Sequence, residues 1–136
     1  SLEAPDTLSK RFIESHSHES TFSLTKKDLL DVVKSIDSLF SKRTNDILTI
    51  RITKNRVFLE TNSNGFFSKA VPLNHCHDDL VDHTFAVSFE RFKKALSHIG
   101  NPNDTLRFHV SAESPLFKLL AWETENEYII LSKMKL

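Results

Sequence analysis

The chain has two glycines, Gly65 and Gly100, a single cysteine, Cys76, and no excess of either charge: 18 Lys and Arg stand against 18 Asp and Glu. Each shortage excludes something. Two isolated glycines cannot build a glycine-rich loop that cradles phosphates, so nucleotide binding of that kind is ruled out. One cysteine cannot close an internal disulfide, and no apolar run is long enough to span a bilayer or to serve as a signal-peptide core. A reducing, cytosolic setting without membrane contact is the expectation. Balanced charge removes the simple argument that a basic protein seeks nucleic acid, so any such role must rest on local patches.

What is present suits one globular domain. The 136 residues are 39% hydrophobic and 26% charged, and eleven phenylalanines supply bulky core volume. Residues 1–20, "SLEAPDTLSKRFIESHSHES", are polar and serine-rich and read as a flexible linker or appended arm. The His16 and His18 pair on it lacks the four-ligand closure of a structural zinc site.

From Thr21 the pattern becomes periodic. "TFSL" alternates like a strand, Thr25 reads as an N-cap with Asp28 placed as in a capping box, and Leu29, Val33, Ile36 and Phe40 recur at helical spacing to about Lys42. "ILTIRIT", "RVFLET" and "GFFSKAVPL" follow as three strands separated by turns at Lys54–Asn55 and at "NSNG". The second half repeats this order. "TFAVS" at Thr84 matches "TFSLT" at Thr21, an offset of 63 in the numbering, and Leu29, Val33 and Ile36 fall at that offset on Phe92, Leu96 and Ile99. "NDTLRFHV" at Asn103 echoes "NDILTIRI" at Asn45 with the offset reduced to 58, because the second helix-to-strand connection is shorter. "PLFKLLAWE" answers "RVFLE", and "YIILSKMKL" answers "FFSKAVPL", with Leu73 and Leu136 again related by 63. The expected α+β domain therefore spans 21–136 and holds two β-α-β-β-β units, 21–73 and 84–136, joined by a loop at 74–83. Each unit has one apolar helix stripe and half-buried strands, so two helices should lie side by side on two antiparallel sheets.

That arrangement resembles the DNA sliding-clamp fold of the bacterial DNA polymerase III β subunit and, more distantly, of the proliferating cell nuclear antigen family. The resemblance is carried by the order of elements, by "FAVSFERFKKAL" entering the second helix, and by "YIILSKMKL", whose Met134, Lys135 and Leu136 end the chain much as a bacterial clamp's C-terminal domain ends. Where those clamps carry a proline near this end, Ser132 and Lys133 stand here. The resemblance implies a non-enzymatic role without cofactor: clamp domains join in a ring around duplex DNA, helices inward, and hold a polymerase or other partner on its template. A bacterial protomer holds three such domains and the eukaryotic type two, so a lone domain is either a piece of a longer protein or one of six copies.

The resemblance also directs attention to two sets of residues. Lys27, Lys34 and Lys42 on the first helix, with Arg91, Lys93 and Lys94 on the second, become DNA-facing candidates for loose, sequence-independent attraction to phosphates. A solvated helix face carries lysines for no such reason, which keeps the plain reading open. Ile130, Leu131, Met134 and Leu136 become candidates for an apolar pocket that accepts short peptides from polymerases or other clamp-binding proteins, where a flexible methionine suits varied partners. Such a protein would be cytoplasmic and nucleoid-associated in a bacterium and nuclear in a eukaryote. The alternative is a clamp-fold interaction or regulatory module inside a larger protein that never encircles DNA.

Chemistry has one conspicuous candidate, "LNHCHDDLVDH" at 73–83. Adjacent residues on a strand point to opposite sides, so Cys76 does not have His75 or His77 as a base by adjacency alone. Asp78 with Asp79, or Glu123, Glu125 and Glu127 near Trp122, are possible cation ligands, but the glutamates fall at a hairpin turn where solvated charge is expected. No metal site and no catalytic constellation is expected. The stretch is expected to be an exposed loop between the two units.

Overall fold

A computed structural model of the chain describes residues 19–39, 46–53, 55–62, 65–77, 81–121 and 127–134. Strand β1 covers Glu19–Thr25 and leads directly into helix α1, Lys26–Leu39. Glu19 and Ser20 thus belong to the strand rather than to the expected arm, because both pair with β7. Strands β2 (Ile47–Thr53), β3 (Arg56–Thr61) and β4 (Phe67–Val71) follow, then a short β5 at His75–His77. The second unit runs through β6 (His83–Ser88), α2 (Phe89–His98), β7 (Thr105–Ser111), β8 (Leu116–Ala121) and β9 (Tyr128–Ser132). The expected end of the first helix at Lys42 lies outside the described residues.

The strands form where apolar and polar residues alternate. In "ILTIRIT" Leu48, Ile50 and Ile52 are buried while Thr49, Arg51 and Thr53 are half-exposed, a period of two that only an extended chain can turn to a single core. Two antiparallel sheets result, ordered β5-β1-β7-β8-β9 and β4-β3-β2-β6. Each unit therefore lends its first strand to the other unit's three-stranded meander. The sheets meet through packed phenylalanines: Phe22 lies 4.9 Å from Phe108, and Phe117 of the same sheet lies 5.1 Å from Phe85 of the other. The helices bury Leu29, Val32, Val33 and Ile36 from α1, and Phe89, Phe92, Ala95 and Leu96 from α2.

The registers of the two exchanged strands correspond. Leu24 pairs with Leu106 and Phe22 with Phe108 in one sheet; Val87 pairs with Leu48 and Phe85 with Ile50 in the other. These pairs interconvert by the same offsets, 63 for the first strand and 58 for the second, that relate the sequences. Helix starts obey the same rule. The amide of Lys26 donates to the Asp104 carbonyl at 2.9 Å, and that of Phe89 donates to the Asp46 carbonyl at 3.1 Å. Each helix is thus fixed at its first turn to the strand entry of the opposite unit, which gives the repeated "ND" a structural meaning.

Two further expectations need correction. The last strands do not align with Leu73 on Leu136: Val71 lies opposite Val57 and Leu131 opposite Phe117, so β4 and β9 correspond at an offset of 60. The hairpin register, which pins inward-facing residues, decides this, whereas a shared leucine does not. The connection at 74–83 is also not all loop. Thr21, Phe22 and Ser23 of β1 pair with His77, Cys76 and His75, and Cys76 packs against the core.

Candidate pocket and helix face

Ser88 ends β6 and caps α2, accepting a hydrogen bond from the Arg91 amide at 3.2 Å. Asp46 reinforces that turn. Its carboxylate accepts from the Glu90 amide at 2.9 Å and from the Ser88 hydroxyl. This holds Arg91 and Phe92 on the first turn of the helix, facing the end of β9. Between them lies a cavity of about 230 Å³ lined by Val87, Ser88, Arg91, Phe92 and the run Ile130 to Met134.

The fourth wall is the segment after β9. The Lys133 amide donates to the Pro115 carbonyl at 2.8 Å and the Met134 amide to the Ala86 carbonyl at 2.7 Å, so the chain crosses from the edge of one sheet to the edge of the other. Met134 is 40% exposed at the rim. A mixed lining, in which Val87, Phe92, Ile130, Leu131 and Met134 stand beside Ser88, Arg91, Ser132 and Lys133, can hold an apolar side chain and satisfy a carboxylate beside it.

Three of the four residues expected at an apolar pocket, Ile130, Leu131 and Met134, therefore come together, while Leu136 lies outside the described residues. Arg91, expected on the DNA face, lines the same cavity. Val87, Ser88 and Phe92 were not foreseen as lining residues. The repeat offers a signal for Ser88, since it occupies the position of the expected cap Thr25.

The helix face is mixed. Lys27 and Lys34 on α1 and Arg91 and Lys94 on α2 are exposed, alongside Asp31 and Glu90. Lys93 is only half-exposed and is engaged: its amine lies 3.2 Å from Asp37 of α1 and 3.5 Å from Glu90, so it ties the two helices together. Its charge is largely answered within the protein. Lys42 lies outside the described residues.

Among the described residues of the histidine-cysteine stretch, no reactive centre is brought together. Cys76 is partly buried with its thiol pushed up in pKa by burial, the opposite of what a thiolate nucleophile needs. Among the described residues no three His, Cys, Asp or Glu side chains come together as metal ligands. Asp78, Asp79, Glu123 and Glu125 lie outside them, and Glu127 accepts a hydrogen bond from the Gly100 amide at 3.0 Å. Among the described residues no helix is long and apolar enough to cross a membrane.

No protein-family model matches the chain, and no curated protein matches it in sequence. Solved structures do. The DNA polymerase sliding clamp from Bacillus subtilis superposes with a TM-score of 0.76 at 14% identity, covering 100% of this chain and 35% of that one. The DNA polymerase III beta subunit from Thermotoga maritima gives 0.74 at 18% identity over 99% of this chain and 35% of its own. The Helicobacter pylori beta clamp in complex with carprofen gives 0.62 at 19% identity over 86% and 32%. The chain spans about a third of the length of these proteins. With its two helices, its two antiparallel sheets and the whole chain covered, it has the fold of a bacterial sliding-clamp domain.

Proposed function

We propose that residues 21–136 form one domain of a sliding-clamp-type processivity factor, a non-enzymatic protein that tethers a polymerase or other clamp-binding partner to duplex DNA. The observation that carries this reading is the fold itself, shared along the whole chain with bacterial clamps. Two features support it. Strands β4 and β9 lie at sheet ends and, among the described residues, are each paired on one side only, so they offer edges to neighbouring domains of a ring. The cavity at Arg91, Ile130, Leu131 and Met134 suits a short peptide with apolar side chains and a carboxylate; the resemblance adds Leu136, which lies outside the described residues.

In this reading Lys27, Lys34 and Lys94, with Lys42, face the DNA phosphates, Arg91 serves the peptide cavity instead, and Lys93 contributes least because Asp37 and Glu90 already hold it. Attraction through a few exposed cations, diluted by Asp31 and Glu90, is weak enough to permit sliding. Those same two carboxylates favour the second reading, a clamp-fold interaction module that never encircles DNA.

Topology separates the two. Full-length protein is loaded on a closed circular duplex, and retention is measured before and after a single double-strand cut. A ring stays on the circle and is lost from the linear form. Equal retention on both excludes the ring and leaves the module.

A further inference from the structure

The segment that walls the pocket is fastened by one side chain. The Lys133 amine donates to the Ser111 carbonyl at 2.7 Å, lies 3.0 Å from Nε2 of His83 and sits 4.9 Å over the ring of Phe85. It thereby joins the strap to the end of β7 and the start of β6. Two basic nitrogens 3.0 Å apart make a hydrogen bond only if one supplies a lone pair. With the ammonium as donor, His83 must be neutral, its proton on Nδ1. The fold does not require this pair. In the first unit Leu73 stands where Lys133 does, at the offset of 60, and Ser20 stands where His83 does, at the offset of 63; Leu73 simply packs on the core. Yet the first unit repeats the backbone bond of Met134, from the Asn74 amide to the Ser23 carbonyl at 2.8 Å.

We propose that Lys133 and His83 form a proton-operated latch that holds the C-terminal strap, and with it the Met134 wall of the pocket, shut when they share one proton and releases it when each carries its own. A second proton puts two cations at contact distance in a partly desolvated gap, where repulsion is far stronger than in water. Among the described residues, the elements around the imidazole carry these charged groups. Lys133 comes from the strap, Asp82 precedes His83 in the chain, Glu113 lies on the turn after β7 that Lys133 packs against, and β2 presents the uncharged Ile52. Both bases resist a second charge. His83 is lowered in pKa by burial and then by the Lys133 charge, and Lys133 is brought down by burial to about 8. The Lys133 shift acts only at alkaline pH, above about 8, whereas the folded-state value of His83 lies below its unfolded value of 6.5, so the closed strap loses stability as pH falls from about 6.5 through the lowered His83 value. Opening on mild acidification follows.

The test is residue-resolved amide hydrogen exchange on the full-length protein at about pH 7.5 and about pH 5.5, on either side of the ordinary histidine pKa, corrected for intrinsic rates, with the Ile50 amide as core reference. Protection of the Met134 amide is expected to fall about tenfold relative to Ile50 at the lower pH. It should be insensitive to pH in His83→Phe, which keeps the ring stacked on Phe85, and clearly less sensitive in Lys133→Leu, which borrows the residue of the first unit and leaves only burial of the imidazole to oppose its charge. Unchanged protection in the wild type, or the same fall in either variant, overturns the latch. The consequence for binding rests on the peptide reading and is followed separately with a fluorescein-labelled pentapeptide of leucine and phenylalanine ending in a free carboxylate. Absence of binding at both pH values defeats that reading and leaves the exchange data to decide the latch.

Discussion

The two units use one backbone plan and make different things of the same place. In the second, Arg91, Ile130, Ser132 and Met134 surround a cavity of about 230 Å³. In the first, the corresponding residues are Asp28, Ala70, Pro72 and Asn74. There the exposed Asn74 side chain donates to the Thr25 hydroxyl at 3.1 Å, and a shallower hollow of about 160 Å³ is bordered by Asp28, Asp31 and Lys69. The backbone frame is the same in both, with paired amides reaching across to β1 or β6. What differs is charge, size and flexibility of the lining, so the frame is a matter of register and the pocket a matter of a few side chains. The first unit is a built-in control for the second.

The largest contrast lies at the helix starts. Lys26 and Phe89 occupy matching positions, both nearly completely buried. Phe89 fills the core, while the Lys26 amine donates to the carbonyls of Ile99 at 2.9 Å and Gly100 at 3.1 Å, closing the C-terminal end of α2. Phe89→Ala is expected to cost about 3–5 kcal/mol, because the surrounding side chains cannot collapse into a space that large. Lys26→Met should cost about 2 kcal/mol: the stem still packs, two carbonyls lose their donor, and relief from burying an ammonium offsets part of the loss. Urea denaturation of both variants measures the pair. A Lys26→Met protein as unstable as Phe89→Ala would mean that the first helix depends on its lysine for more than those two carbonyls.

The pocket can be converted toward its counterpart. Ile130→Ala with Met134→Asn copies the first unit's lining and places an amide where it can reach the Ser88 hydroxyl, as Asn74 reaches Thr25. Peptide affinity should fall at least about tenfold, roughly 1.4 kcal/mol, with little change in the urea midpoint, since neither side chain is fully buried. Titration of the labelled pentapeptide reads the change. Undiminished binding would move the peptide site away from Ile130 and Met134.

How much of this the sequence made legible follows from the range of the interactions. The alternation in "ILTIRIT", the stripe Leu29, Val33 and Ile36, and the doubled "ND" are local or periodic, and they carried the element order and the two-unit plan. The exchange of β1 and β6 between sheets depends on contacts such as Phe22 with Phe108, drawn from opposite ends of the domain, for which no local pattern exists. The β5 strand was hidden because His75, Cys76 and His77 look like ligands and loop, whereas their pairing is decided by the free edge of β1. In the pocket, Ile130, Leu131 and Met134 were named only through the resemblance to clamps, which directs attention to the last strand and the residues after it. Ser88, Phe92 and the Lys133–His83 contact required the fold, because β6 and α2 are separated from β9 by two further strands and meet it only once both sheets are assembled.

The smallest expected effect comes from a place where the second unit already carries the better residue. Thr61 is buried at 3% exposure, and its hydroxyl has no hydrogen-bond partner among the described residues. Ladder register identifies its counterpart: Ile50 lies opposite Leu59 and Phe108 opposite Leu119, so the next inward-facing positions along the two strands are Thr61 and Ala121. Ala121 is fully buried and carries no polar group to strand. An orphaned hydroxyl costs its lost hydration with nothing in return, and a methyl of the same shape carries no such penalty. Valine fits the space that threonine already fills and suits a strand as well. Thr61→Val is therefore expected to stabilise the domain by about 1 kcal/mol, read as a higher urea midpoint at unchanged slope. A loss of stability would mean that the Thr61 hydroxyl is satisfied in solution, and that the two units differ there by design of the first rather than by its neglect.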